Sequence, residues 1–285
     1  MTKVSWLVEA EMFPDYRDEL LAQIIQQGHA AKVVPEIPFG YRLNDIGSPH
    51  LQMFPPDACV VFHGCIEIAN SLSEQSPWVP GVFCNWPNYE CSTYYCHLAR
   101  YLVNADYVLL PFGELQRRKD YLFSSIGKDG CIFVRPNSPQ KSFTGQVARS
   151  DSFERDVEYM AFYDVPPQAI VLVSSPKQLV KEWRFVVASQ TVVAGSRYKS
   201  DGKLDKVADS DAGALKLATE IASQAFQPDA VWVMDLCQTD TGDYHLLEIG
   251  SFSCAELYAC NMTDVVREVS RVAMQEWEAG KPKSG

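Results

Sequence analysis

The sequence is short of positive charge and of long apolar runs. Its 285 residues include 25 Lys and Arg against 36 Asp and Glu, for a formal net charge of −11. This deficit argues against nucleic acid as a partner, because phosphate neutralisation supplies most of that affinity. No apolar run approaches the roughly 18–20 residues that cross a bilayer, which argues against a membrane protein. The acidic residues Glu9 and Glu11 near the start are unlike a signal peptide, so we expect a cytoplasmic location.

The cysteines lack the spacing of a metal site or a redox motif. There are nine, an odd number, and none forms a CxxC pair. We expect reduced and mostly buried thiols, which behave as small apolar side chains. The tightest group is Cys91, Cys96 and His97, whose spacing fits none of the common structural zinc sites. Zinc binding there is a minor alternative.

The apolar patterns predict a mixed fold with two regions. Strands separated by helices as far as about residue 126 favour a mostly parallel α/β sheet, and the first helix has an apolar face of Leu20, Leu21, Ile24 and Ile25. After Gly130, hairpins backed by helices favour an α+β arrangement. We therefore predict an N-terminal α/β lobe at residues 1–128, a second region at 129–280 and a frayed tail at 281–285.

Two acidic residues interrupt the most apolar strands of the second region. Asp235 and Glu248 lie on strands joined by a polar turn at 239–243, so they can face each other at one end of a hairpin. A buried carboxylate needs a cation or hydrogen-bond donors. Mg²⁺ is commonly held by one or two carboxylates together with substrate phosphates. The spacing leaves two interpretations: a metal-binding pair, or strand-end acids bonded to Arg side chains or backbone N–H groups.

Two further segments carry cations at strand ends. FVRPNSPQKSFTG at 133–145 places Arg135 at a strand end and Lys141 on a loop that can offer N–H groups to phosphate. In the segment 171–187 an apolar strand ends in Ser-Pro, where backbone groups can meet an adenine edge. Glu182, on the following strand, can accept from ribose hydroxyls. The alternative for both segments is a set of solvated charges.

Taken in order, these segments resemble the ATP-grasp superfamily. FVRPNSPQKSFTG, KEWRFVV, GSRY and LLEIGSFS are similar to the clade named for one arginine and two lysines, over roughly residues 105–270. The resemblance implies an ATP-grasp-like fold, in which an N-terminal α/β lobe precedes a two-sublobe ATP-grasp domain. It also implies an ATP- and Mg²⁺-dependent carboxylate–amine ligase that forms an acyl phosphate on a small carboxylate or peptide.

The resemblance assigns a role to each matched residue. Nucleotide contacts fall on the basic loop, the strand end and the Glu-bearing strand: Arg135, Lys141, Val173, Ser174, Ser175, Lys181 and Glu182. Stabilisation of the transferred phosphoryl group falls on Arg184, Arg197 and Lys141, and Mg²⁺ binding on Asp235 and Glu248. Weaker candidates for substrate contacts are His63, Asn85, Tyr198 and Ser251. The Arg and Lys residues among these candidates, together with Lys199, predict a locally positive cleft that binds one small polyanion.

One position departs from the family pattern. The family usually has Asn two residues after the second acid, whereas this sequence has Gly250, which offers no side-chain oxygen. Ser251 or Ser253 can compensate; otherwise the chain is a nucleotide-binding module with weak or no catalysis. A third alternative is a hydrolase that uses the paired carboxylates, or Cys84 or Cys91 with His63 or His97.

Overall fold

The computed structural model describes residues 3–35, 49–140, 142–162, 164–208 and 211–280. Lys141 and the predicted tail at 281–285 lie outside the described residues. The strands in these ranges are β1 (Ser5–Glu9), β2 (Ala30–Val34), β3 (Cys59–His63), β4 (Val79–Gly81), β5 (Val108–Pro111), β6 (Cys131–Pro136), β7 (Gln146–Arg149), β8 (Ile170–Ser174), β9 (Leu179–Ala188), β10 (Thr191–Ser200), β11 (Lys203–Val207), β12 (Val231–Thr239) and β13 (Tyr244–Ser251).

The described ranges contain seven α-helices. They are α1 (Pro14–Gln26), α2 (Ile66–Gln75), α3 (Cys91–Leu98), α4 (Lys119–Ser125), α5 (Phe153–Ala161), α6 (Ala212–Ala222) and α7 (Met262–Ala279). Gly28, with φ of 81°, follows the end of α1. The side chain of Asn261 accepts the Asp264 N–H and caps the start of α7.

Contacts within the chain define two compact units. The first comprises Met1–Asn85, Lys181–Leu236 and Glu248–Gly285, and the second comprises Trp86–Val180 and Cys237–Leu247. The predicted boundary between residues 128 and 129 falls inside the second unit. The reason is that β5 before it and β6 after it both pair antiparallel with β8. The position of β5 before residue 126 predicted that it would join the parallel sheet. It pairs antiparallel with β8 instead, so that prediction is wrong.

The first unit contains a parallel sheet and most of a second sheet, and the two share one hydrophobic core. The parallel sheet has the order β2-β1-β3-β4, and the other has the order β11-β10-β9-β12-β13. Helix α7 packs against α1 and contacts β3, β4 and β10. Its buried residues include four valines: Val265, Val266, Val269 and Val272. Val186 and Val233 bring the second sheet into the same core.

The second unit is built on an antiparallel sheet with the order β5-β8-β6-β7. Helix α4 contacts β6, and α5 contacts β7. Phe153, Val134 and Val173 are among the buried residues of its separate core. One parallel sheet together with antiparallel pairs backed by helices confirms the predicted mixture of α/β and α+β structure. None of the helices in the described ranges combines the length and apolar character needed to cross a membrane.

His63, a predicted substrate contact, lies at the end of β3 and is completely buried. Its Nδ1 lies 3.2 Å from the Phe252 carbonyl oxygen, and its Nε2 lies 2.9 Å from the Tyr16 hydroxyl. Since a carbonyl only accepts, Nδ1 donates and Nε2 accepts from Tyr16. Burial lowers the pKa of His63 to about 4. His63 is therefore a neutral core residue, and neither ring nitrogen is free to activate a thiol of Cys84 or Cys91.

The two neighbouring isoleucines of α1 provide a test of the core. Ile24 is completely buried, whereas Ile25, predicted on the same apolar face, is 59% exposed. We expect Ile24→Ala to lower the free energy of unfolding by about 2–5 kcal/mol, because it leaves a cavity. The matched control Ile25→Ala is expected to change it by less than about 0.5 kcal/mol. Urea denaturation measures both, and equal losses would contradict this packing.

The neutral His63 predicts a pH dependence of stability. Because its pKa falls from 6.5 to about 4 on folding, the unfolded chain binds more protons between these values. This contribution to stability is present above pH 6.5 and is lost as the pH falls towards 4. His63→Gln, which keeps a donor and an acceptor but does not titrate, is expected to flatten the dependence. Urea midpoints measured between about pH 4.5 and 7 test this, and identical slopes in both proteins would refute it.

Candidate active site

A buried ion pair lies where the apolar face of the second sheet ends. Arg184 on β9 and Asp235 on β12 each stand two residues from a core valine, Val186 and Val233, so strand alternation puts all four on one face. The guanidinium is bidentate: Nε donates to Oδ1 and Nη2 to Oδ2, both at 2.7 Å. The side chains are 12% and 3% exposed. The sheet therefore changes from apolar to ionic along a single face.

The electrostatics keep this pair charged. Burial opposes the charged form of Arg184, but the attraction and hydrogen bonds of Asp235 outweigh it and raise the pKa of Arg184 well above its ordinary value. Removing one partner of such a pair costs about 3–5 kcal/mol, because the other charge is left buried. The pair is thus the predicted strand-end acid bonded to Arg. Each carboxylate oxygen of Asp235 can accept more than the one hydrogen bond that Arg184 donates to it.

A β-bulge brings two donors to a second buried acid, Glu182. The pairing of β10 with β9 shifts between Arg197 and Lys199, so that Tyr198 is an extra residue opposite Glu182. The Tyr198 hydroxyl donates to Glu182 Oε2 at 2.7 Å, and Lys199 Nζ lies 2.8 Å from Oε1. Burial, followed by the charges of Asp235 and Glu182, raises the pKa of Tyr198 well above its ordinary value, so the phenol remains a donor.

Glu248 and Gly250 lie on the same face as the ion pair. A Cβ atom built on Gly250 would lie 3.4 Å from Val233 Cγ2, which places these two residues on one face. Alternation along β13 and β12 then puts Glu248 on the face of Asp235. Among the described residues, no group of three or more Asp, Glu, His or Cys side chains is arranged to hold a metal. Two carboxylates fit Mg²⁺ when phosphates complete its ligands, so the donor set fits the predicted ion.

The other predicted residues of the first unit lie at differing positions around this cluster. Arg197 pairs with Asp205 at 2.9 Å, at the same bulge. Lys181 precedes Glu182 on β9, so alternation places it on the opposite face of the sheet, with the buried Trp183. The structure therefore groups Arg184, Glu182 and Asp235 and leaves Lys181 outside that group.

The serines after the second acid bind another segment. Ser251 Oγ donates to the Phe83 carbonyl oxygen at 2.7 Å, and Ser253 Oγ accepts the Phe83 N–H at 2.9 Å. Both serines are buried. Their hydroxyls hydrogen-bond the segment after β4 to the end of β13, so neither replaces the side-chain oxygen that Gly250 lacks.

Asn85 and Cys84 lie in the same segment after β4. The Asn85 N–H donates to Asp229 Oδ2 at 3.1 Å, and burial raises the pKa of Asp229 to about 7. Cys84 Sγ lies 2.9 Å from Ser251 Oγ and 3.9 Å from Cys254 Sγ. Cys84 thus contacts Ser251 and a second thiol, so the structure gives no support to a Cys–His nucleophile here.

In the second unit, Arg135 lies on β6, which pairs with β8, the strand that ends at Ser174. The pairing places Arg135 opposite Leu172 and Val134 opposite Val173. A Cβ atom on Gly145 would lie 2.9 Å from the Phe133 ring and 3.1 Å from Arg135 Cβ. The end of the basic loop therefore returns so close to β6 that a larger residue at position 145 would force a neighbouring side chain to shift.

An acid that the sequence analysis missed holds this strand end. Asp106 Oδ2 accepts from the N–H and the hydroxyl of Ser175, and Asp106 Oδ1 lies 2.6 Å from Lys177 Nζ. Burial would raise the pKa of Asp106, but the hydrogen bonds of Lys177 and Ser175 outweigh it and lower the pKa. Its partners are 69 and 71 residues away in sequence, so no local spacing reveals the contact.

Comparison with known proteins identifies the fold. One similar solved structure is the D-cycloserine synthetase DcsG, with a TM-score of 0.56 and 16% identity, covering 98% of this chain and 100% of that chain. Another is the D-alanine–D-alanine ligase of Bacillus anthracis, with a TM-score of 0.63 and 11% identity, covering 99% of this chain and 100% of that chain. A third is the ATP-grasp ligase PsnB complexed with minimal precursor, with a TM-score of 0.55 and 11% identity, covering 95% of this chain and 100% of that chain. At these identities the likeness shows a shared fold alone. No curated protein matches the chain.

The family assignment comes from the sequence itself. The model of the ATP-grasp domain for family 2 of the clade named for one arginine and two lysines matches residues 117–267, which is more than half of the chain. This match confirms the resemblance read from the basic loop and the acidic strands, and the shared fold confirms the predicted architecture. The chain belongs to the ATP-grasp superfamily, in family 2 of that clade.

Proposed function

We propose that this chain is an ATP- and Mg²⁺-dependent carboxylate–amine ligase. The observation that carries the proposal is the face of the second sheet on which Arg184, Asp235, Glu182 and Glu248 lie together. A cation held between acids beside a hydrophobic core suits a reaction that moves a phosphoryl group, since that chemistry depends mainly on positioning and electrostatics. The family supports ATP as the nucleotide.

The proposed reaction has two steps. A substrate carboxylate oxygen attacks the γ-phosphorus of ATP, and ADP leaves with the electrons of the broken P–O bond. An amine then attacks the acyl carbon, phosphate leaves and the nitrogen loses a proton. Mg²⁺, held by Asp235 and Glu248, would neutralise phosphate charge. Arg184 binds the transferred group, and Glu182 accepts from the ribose hydroxyls. Arg197, predicted to share the role of Arg184, is paired with Trp183 and so lies on the other face of the sheet.

The substrate class is a small carboxylate or a peptide, with an amine as the second substrate. Three similar structures support this class, because their names state a D-cycloserine synthetase, a D-alanine–D-alanine ligase and a ligase complexed with a precursor. Arg135, Lys141 and the Val173–Ser175 strand end remain proposed nucleotide contacts. The nine free cysteines suit the reducing cytoplasm, which we keep as the proposed location.

A second candidate is a nucleotide-binding module without turnover. Gly250 favours it, because the position that usually supplies an amide oxygen has no side chain and the hydroxyls of Ser251 and Ser253 are bonded to Phe83. In this case ATP and Mg²⁺ stabilise the protein, but no carboxylate and amine pair yields ADP. Detection of acceptor-dependent ADP would decide for the ligase.

Glu248→Gln tests the metal assignment. At a concentration of MgATP about 100 times its Kd, binding stabilises a folded protein by about 2.7 kcal/mol. We expect wild type to show a Mg²⁺-dependent rise in Tm with ATP, and Glu248→Gln to lose most of that rise because a ligand is removed. The control Asp240→Asn removes a carboxylate from the exposed turn of the same hairpin and is expected to keep the full rise. A full rise in Glu248→Gln would refute the assignment.

Gly250→Asn tests the second candidate. A Cβ atom there makes only ordinary contact with Val233, so an Asn side chain can be accommodated. We expect ATP-dependent Mn²⁺ binding, measured by electron paramagnetic resonance, to tighten about tenfold because the amide oxygen adds a ligand. Gly250→Ala adds the Cβ atom without the oxygen and serves as the control. Equal Mn²⁺ affinity in the two variants would show that position 250 does not limit the site.

A further inference from the structure

Tyr258 holds a backbone conformation that is unusual for its residue type. Its φ is 51°, in the left-handed region that bulky L-residues rarely adopt. The other non-glycine residues with positive φ in the described ranges are all polar, and all are Asp, Ser or Gln: Asp129, Asp164, Ser189, Gln190 and Asp201. Strain of this kind persists only where the surrounding structure holds it, and it concentrates at functional sites. The ring must therefore make contacts that keep it in place.

Those contacts are with the charged cluster of the first unit. The Tyr258 ring stacks on Tyr198, with centroids 4.7 Å apart and planes at 12°. The guanidinium carbon of Arg184 lies 5.2 Å from the centroid of the Tyr258 ring, and Lys206 Nζ lies 5.4 Å from it. Both cations are within the range of a cation–π interaction. The strained residue thus packs against the cation of the buried ion pair.

The neighbouring residue Glu256 completes the surroundings of Arg184. The Glu256 carbonyl oxygen accepts from Arg184 Nη1 at 2.9 Å, and its carboxylate binds Lys206 at 2.6 Å. Lys206 also binds Asp15 at 2.6 Å. Together with the two bonds to Asp235, the described contacts use three of the five N–H donors of the guanidinium. The described contacts leave the other two N–H donors of the guanidinium for a ligand.

We propose that Tyr258 is a positioning residue that fixes the Arg184 guanidinium for the γ-phosphoryl group of ATP. The proposal rests on the proposed function, which gives Arg184 that contact. The Tyr258 ring restricts the rotamers of Arg184 and excludes water from one side of it, while Asp235 and the Glu256 carbonyl set the direction of the N–H groups. Because ADP has no γ-phosphate, loss of the ring weakens binding of the triphosphate and spares binding of the diphosphate.

The test compares two nucleotides in variants that remove the ring without adding backbone strain. Asn and Gly both tolerate positive φ, so neither Tyr258→Asn nor Tyr258→Gly adds backbone strain. Tyr258→Phe keeps the ring and removes only the hydroxyl. Isothermal titration calorimetry with Mg²⁺ measures the Kd of ADP and of a non-hydrolysable ATP analogue, and urea denaturation measures the stability of each variant.

We expect Tyr258→Asn and Tyr258→Gly to weaken binding of the analogue about tenfold and to leave the Kd of ADP within about twofold of wild type. Tyr258→Phe is expected to match wild type for both nucleotides. Equal weakening of both nucleotides, or of neither, would show that Tyr258 has only a structural role, with the proposed function intact. A wild-type protein that binds neither nucleotide would instead overturn the proposed function, and this inference with it.

Discussion

The site depends on one buried ion pair, Arg184 with Asp235. Both side chains lie on a sheet face that is apolar two residues further along, so neither charge is stable there alone. The bidentate geometry satisfies both carboxylate oxygens, and the Glu256 carbonyl takes a third N–H of the guanidinium. Other acids, cations and aromatic rings lie around the pair, because each buried polar group there needs a hydrogen-bonding or charged partner.

Strand pairing, including a bulge in β10, positions the residues around this ion pair. The bulge in β10 lets Tyr198 and Lys199 both reach Glu182, and the tyrosine also stacks on Tyr258. Regular pairing without the extra residue would offer Glu182 a single opposite neighbour. The first unit therefore presents donors and acceptors fixed by strand pairing and mutual contacts, which suits a site that stabilises charge without reorganising.

Residue patterns predict part of this arrangement. Alternating apolar residues locate β9, β10, β12 and β13, and the acid and cation types on them point to Asp235, Glu248, Glu182 and Arg184. Tyr258 and Asp106 escape such reading, because their contacts come from a left-handed turn and from partners about 70 residues away. The domain division escapes it too, since antiparallel pairing of β5 with β8 links segments on both sides of residue 128.

We propose that the face of the second sheet that carries Asp235 binds MgATP. A crystal structure with a non-hydrolysable ATP analogue and Mg²⁺ tests it most directly. We expect a metal ligated by Asp235 and Glu248, with a γ-phosphate oxygen within hydrogen-bonding distance of Arg184. A nucleotide bound away from these residues, or bound with no metal on either acid, would contradict it.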